Sequence, residues 1–209
     1  MRLRPLVETK VFKVDPKDPD AAAIEFGARV IRGGGLVVFP TETVYGIAAN
    51  LLNQKTVDRL YEVKRRFRGK PFTVHIADLK AIREMGCAIS KKARLAIDKY
   101  WPGPLTVILQ AKDGRKTGFR MPANEVALRL ISAARVPVVA PSANISGKKP
   151  PRDAKSALRD LDKRVDVVID AGRTAVGVES TVVDFTTDPP AILREGAVTR
   201  TALMRTLKG

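Results

Sequence analysis

One cysteine and one histidine are all that 209 residues supply. A lone Cys87 excludes an internal disulfide and any multi-cysteine zinc site. It fits better as a small buried hydrophobe. With His75 as the single histidine, no His/Cys metal cluster is available, and nothing in the spacing of the two residues suggests a nucleophile pair. Aromatic residues make up 5% of the chain, too few for a stacking platform for single-stranded nucleic acid. No stretch approaches the roughly 20 apolar residues that span a bilayer. The N-terminal MRLRPLVETKVFKV lacks an apolar signal core, which points to the cytoplasm. The chain has no GxxxxGK[ST] loop, no HExxH and no EF-hand loop. Gly33-Gly34-Gly35 precedes a strand where a dinucleotide fingerprint would follow one. Ser142 sits in PSAN, outside any GxSxG elbow.

Positive charge is abundant: 38 Lys and Arg face 22 Asp and Glu, a net +16. Such a field attracts polyanions, whether RNA, DNA or nucleotide phosphates. Hydrophobic content of 44% and charged content of 29% are ordinary for a globular chain, and the length suffices for one full core.

The organising stretch is Leu36 to Asn50, LVVFPTETVYGIAAN. Leu36 to Phe39 reads as a buried strand that stops at Pro40, which has no N–H for a ladder. Thr41, Glu42, Thr43 and Tyr45 then follow the strand exit, a region where open α/β sheets bind ligands. Gly46 lets the backbone turn or approach a ligand closely. Before this stretch, the pattern predicts an edge strand near Lys10–Val14. It then predicts a helix capped by Asp18 with Pro19 in its first turn, ending at the glycine triplet.

After it, the pattern predicts a helix from Asn53 that runs out at Lys64, a strand over Phe72–Ile76, and helices over 79–85 and 91–100. Strands follow at Leu105–Gln110 and Thr117–Pro122, then a helix over 125–134 and a strand Val136–Ala140 that exits into Pro141-Ser142-Ala143-Asn144. A helix over 153–161, strands at Val165–Ile169, Ser180–Phe185 and Ala191–Leu193, and a helix over 199–207 complete the reading. No repeat or linker divides the chain. The alternation implies one α/β domain over residues 1–209 with a largely mixed or parallel sheet.

The candidate chemistry is cationic and hydroxylic. Residues 59–70, RLYEVKRRFRGK, carry Arg59, Lys64, Arg65, Arg66, Arg68 and Lys70 against one acid, Glu62. On a continuous helix Lys64 and Arg66 point roughly 200° apart. Both reach one ligand only if the helix ends by Lys64. The alternative is a solvated basic helix end favoured by the macrodipole. Arg120, Ser180-Thr181 and Arg194 lie far off in sequence, each unremarkable alone.

As a set, these residues fall into a pattern. PTETVYG, the KxR of Lys64 and Arg66, KP…H from Lys70 to His75, WPGPLT, FRMP, APSAN with Ser142-x-Asn144, ESTVVD and LREG resemble the YrdC family in that order along nearly the whole chain. KxR paired with SxN marks its threonylcarbamoyl-AMP synthases. The resemblance implies a twisted, mostly mixed sheet flanked by helices, with an open basic concave face. It implies an enzyme in which L-threonine and bicarbonate or CO2 form an N-carboxy carbamate. That carbamate attacks the α-phosphate of ATP, releasing pyrophosphate and threonylcarbamoyl-AMP for tRNA modification by a partner complex. Mg²⁺ would arrive on the ATP phosphates with no protein-bound metal cage, and the 209 residues would be the catalytic domain alone.

Carried over by position, the resemblance gives Lys64, Arg66, Ser142 and Asn144 catalytic roles. It gives Thr41, Thr73, His75, Arg120, Ala140 (through its backbone) and Ser180 to threonine. Lys64, Arg66, Arg68, Thr117, Ser142 and Arg194 go to ATP. Two departures stand out. The family's hydroxyl residue four places before the Arg falls here on Lys116, with Thr117 three before Arg120. Pro150 also replaces a hydroxyl residue after SGK. Two other readings accommodate the same residues. One is a non-catalytic protein binding tRNA or double-stranded RNA through 59–70 and 148–164, the latter with seven basic and three acidic side chains. The other is a carbamoyl transferase acting on another protein.

Overall fold

The computed structural model of the chain describes residues 7–208. Its strands are β1 (Lys10–Lys13), β2 (Val37–Phe39), β3 (Gly46–Asn50), β4 (Val74–His75), β5 (Leu105–Gln110), β6 (Lys116–Arg120), β7 (Val138–Val139), β8 (Val167–Asp170), β9 (Thr181–Asp184) and β10 (Ala191–Arg194). Its helices are α1 (Ala21–Arg32), α2 (Gln54–Lys64), α3 (Lys80–Glu84), α4 (Lys91–Tyr100), α5 (Glu125–Ala134), α6 (Ala154–Leu161) and α7 (Arg200–Lys208). The strands form one mixed sheet in the order β1-β8-β2-β3-β7-β4-β6-β5-β9-β10. No helix among the described residues is long and apolar enough to cross a membrane. The part of the N-terminal reading that rests on residues 1–6 falls outside the described residues.

Most elements follow from their caps. Asn53, Ser90, Asn124 and Asp153 each accept a hydrogen bond from a first-turn N–H. At α1 the expected cap is displaced: Asp20 accepts from Ala22 N–H at 2.7 Å, while Asp18 lies exposed opposite Arg129. Pro19 precedes that cap and stays outside the first turn. The strand β3 escapes the sequence pattern because GIAAN offers one β-branched residue beside Gly and Ala. Gly46 therefore opens a strand where a turn was expected. A Cβ there would stand 3.2 Å from the Phe39 ring.

Two apolar layers sandwich half of the sheet. On one face α1 and α5 bury Ile24, Ala28, Leu130 and Ile131 against Val37, Phe39, Ala48, Val138 and Val167. On the other face Leu60, Ala96, Ile97, Ala157 and Leu203 meet Val38, Ile47, Val74, Val107, Phe119 and Val183. The second layer extends across β4, β6, β5 and β9, whereas the cluster under α1 and α5 takes nothing from these four strands. Strand alternation then fixes what the bare half presents. His75 pairs with Val138 and with Arg120, and Thr106 lies opposite Arg120 by register. All four point to the α1/α5 face, whose cover ends at β7. The sheet thus leaves an uncovered patch in its middle, on a face and not beyond its strand ends.

Asp166 ties the organising strand to this frame. Its carboxylate accepts the Leu36 N–H at 2.7 Å and pairs with Arg59 at 2.7 Å. Asp166→Ala removes both and leaves the Leu36 N–H without its acceptor. Urea unfolding of this variant should show a loss of about 1–3 kcal/mol; an unchanged midpoint would show that the pair carries no stability.

Candidate functional site

Over the bare patch lies a small cavity of about 110 Å³. Its floor is the sheet face with Thr73, His75, Thr106 and Arg120, and its walls are loops. One wall is the segment after β2. The Thr41 hydroxyl donates to Val44 O at 2.6 Å and lies 2.9 Å from the Thr43 hydroxyl, folding the chain back into β3. Segment 174–178 straps this loop, with Val176 N–H on Glu42 O and Gly177 N–H on Thr43 O. A second wall comes from Ala140, Pro141 and Ser142 after β7. Ala140 spends its N–H on Thr73 O at 3.0 Å. Ser180 and Arg194 close the far side. The Ser180 hydroxyl lies 2.9 Å from Thr106 Oγ1, and Arg194 donates to it and to its carbonyl.

Two of the three guanidiniums at this cavity, Arg120 and Arg194, have a carboxylate. Arg120 is 5% exposed, donates to Thr43 Oγ1 at 2.7 Å and stands 2.8 Å from Glu42 Oε1. Burial lowers its pKa and Glu42 opposes that shift. Arg194 pairs with Glu179 at 2.8 Å. His75 is driven down to about 3, first by burial and then by the charge of Arg120. It is a neutral imidazole, and its buried Nδ1 has no hydrogen-bond partner among the described residues.

A wider cavity of about 530 Å³ adjoins the first, and Arg66, Ser142 and Glu179 line both. The turn that makes this junction is local. α2 ends at Lys64 because Arg65 takes a left-handed φ of 49°. Arg66 then points across, its guanidinium bonded to Lys70 O and Pro71 O and seated 5.3 Å over the Phe72 ring. Lys64 goes the other way. At 1% exposure its ammonium donates to Ser142 O and, at 2.8 Å, to Asn144 O. Burial foremost, then Arg66, lowers it to about 8. Asn144 secures the following turn through Ile145 O and Lys148 O, leaving its buried Oδ1 unpartnered among the described residues.

Lys64, Arg66, Ser142, Asn144, Thr41, Thr73, His75, Arg120, Ala140, Ser180 and Arg194 therefore assemble around two joined cavities. Arg68 and Thr117 do not. The Arg68 side chain is largely exposed and pairs with Asp58 on α2. Thr117 alternates with Arg120 onto the opposite sheet face, near Cys87. Lys116 shares the Arg120 face but sits at the far end of β6, on Asp184 at 3.0 Å. Sequence reasoning passed over Thr106 and Glu179. The register of β5 against β6 marks the first, and adjacency to Ser180 in ESTVVD marks the second. Among the described residues no group of three or more His, Cys, Asp or Glu is placed to hold a metal ion.

The buried imidazole predicts a pH effect. Between about pH 6.5 and 3 the unfolded chain takes up a proton at His75 that the folded one refuses, so stability falls as pH drops. His75→Asn should flatten the slope of unfolding free energy against pH in that window. Equal slopes for variant and parent would show that His75 titrates normally.

The family model Sua5_yciO_yrdC, described as "Telomere recombination", matches residues 29–196. The chain is 42% identical over 184 residues to the threonylcarbamoyl-AMP synthase of Pyrococcus abyssi, covering 84% of this chain and 54% of that protein. It is 40% identical over 196 residues to the Bacillus subtilis protein of the same name, covering 89% and 55%. It thus spans about half the length of these relatives. The crystal structure of P. abyssi Sua5 complexed with L-threonine superposes with a TM-score of 0.89 at 37% identity, covering 95% of this chain and 61% of the other. The chain belongs to the Sua5_yciO_yrdC family.

Proposed function

We propose that this chain is an L-threonylcarbamoyladenylate synthase, a nucleotidyltransferase acting as a catalytic unit in the cytoplasm. It condenses L-threonine, bicarbonate or CO2, and ATP. The observation that carries this reading is the junction, at Arg66 and Ser142, of a small cavity holding two paired guanidiniums with a wider cationic one. A threonine zwitterion suits the inner cavity, where Arg120 and Arg194 each face a carboxylate and Arg120 offers a carboxylate-binding fork. A triphosphate suits the outer one, lined by Lys64, Arg66 and Lys70. The chain is similar to relatives that carry the synthase name and to one solved with L-threonine.

In the reaction the threonine nitrogen is first carboxylated. A carbamate oxygen then bonds to the ATP α-phosphorus as the bond to the bridging oxygen breaks and pyrophosphate departs. Two anions must meet, and the Arg66 guanidinium sits where it relieves their repulsion and the charge developing on the leaving group. Lys64 acts differently. By holding two loop carbonyls it keeps Ser142 at the junction and Asn144 in the wall of the outer cavity. The neutral His75 suits a hydrogen-bond partner of threonine and not a base. Mg²⁺ suits this lining as a passenger on the ATP phosphates, because Glu179 is the one carboxylate among the described residues of the outer cavity. Arg68 and Thr117 drop out of the ATP site.

The product, a mixed anhydride, calls for a transferase complex that passes the threonylcarbamoyl group to tRNA. The cluster of Lys148, Lys149, Arg152, Arg159 and Arg173 around one surface depression supports contact with tRNA or double-stranded RNA as an added property. Binding through it alone would weaken steeply with salt.

Pyrophosphate release from ATP that requires both threonine and bicarbonate tests the reading; RNA binding without such release would favour the non-catalytic alternative. Arg66→Ala should lower the rate by about 10²–10³ with the thermal midpoint unchanged. Lys64→Ala should lower rate and midpoint together, since it also unties the 142–144 loop. Equal stability loss in both variants would contradict this division. Arg120→Ala should chiefly raise KM for threonine; a selective rise for ATP would contradict that assignment.

A further inference from the structure

Glu42 is the residue of PTET that no role above absorbs. Its carboxylate is buried, and neither oxygen accepts an aligned hydrogen bond from the described residues. Its one close partner is Arg120, whose Nη2 stands 2.8 Å from Oε1 as an ion pair. The Glu42 side chain does not line the inner cavity, whereas Arg120 does. The backbone carbonyl of Glu42 is pinned by Val176 N–H, so the residue cannot drift from this place without lifting the strap.

A buried carboxylate whose one close partner among the described residues is a guanidinium is costly, and a core of this density could hold Leu or Met there. The arrangement has one evident beneficiary. Arg120 is held from behind at three points: Glu42, the Thr43 hydroxyl and, at 3.4 Å, Gly103 O. Its remaining edge faces the cavity. We infer that Glu42 is a positioning residue. It fixes the Arg120 guanidinium and half-neutralises it, so that the inner cavity accepts the monoanionic carboxylate of an amino acid. This deepens the proposed synthase reading and rests on it.

The two claims separate in one experiment. Threonine- and bicarbonate-dependent pyrophosphate release is measured for the parent, Glu42→Gln and Glu42→Asp, with KM taken separately for threonine and for ATP. Gln keeps the volume and removes the charge; Asp keeps the charge on a shorter stem. The expected result is a rise in threonine KM of about tenfold or more for Glu42→Gln, corresponding to about 1.4 kcal/mol. A smaller rise is expected for Glu42→Asp, with KM for ATP moving less than KM for threonine in both. A parent protein without such release sinks the synthase reading itself. A working parent with threonine KM within twofold in Glu42→Gln, or with both KM values rising alike, overturns the role of Glu42 alone. Should Glu42→Gln fail to fold, Glu42→Asp carries the same comparison.

Discussion

A single buried ammonium joins the parts of the molecule that matter for chemistry. Lys64 ends α2 and reaches the carbonyls of Ser142 and Asn144, nearly 80 residues away along the chain. In the reverse direction the Ser146 N–H donates to Lys64 O at 2.8 Å. This clasp holds the exit of β7 against the exit of α2, and the wall between the two cavities is made of those two exits. A charge so deeply buried persists only because its donors are met. With α2 halted by the left-handed Arg65, the next side chain but one is free to face the junction. The sequence KxR thus divides its labour: one cation builds the wall and the other stands in it.

Electrostatics then distinguishes the two compartments. In the inner cavity Arg120 and Arg194 each have a carboxylate, and only Arg66, shared with the outer cavity, has none among the described residues; the paired part suits a zwitterion. The outer one has an excess of cations around a lone Glu179 and suits phosphates. A chain carrying net +16 would attract anions everywhere. The local pairing is what makes one small basin an exception. The sheet contributes by going bare at β4, where the cover of α1 and α5 ends.

Much of this was legible in the residues. The apolar periodicity, with a start near Asn53, placed most helices within a residue or two. The basic run after Leu60 and the polar exits at PTET and PSAN marked the segments that converge. What the residues concealed depends on pairing between distant strands. GIAAN has too little β-branching to announce β3. That Thr106 lies opposite Arg120 follows from the register of β6 against β5. The segments past β2 and β7 do wall the site, but its floor on the sheet face was hidden, because no local pattern says where a helical layer stops. Lys64 stood out as a cation, but its two acceptors on the 142–144 loop are backbone carbonyls, which leave no side-chain signature.

The most direct measurement is a crystal structure of the protein with L-threonine and a non-hydrolysable ATP analogue bound together. The account predicts the threonine carboxylate on Arg120 in the inner cavity and the α-phosphate beside Arg66. The amino nitrogen and the phosphorus should face each other across Ser142. Threonine in the outer cavity, or the two ligands on separate faces of the sheet, would contradict it.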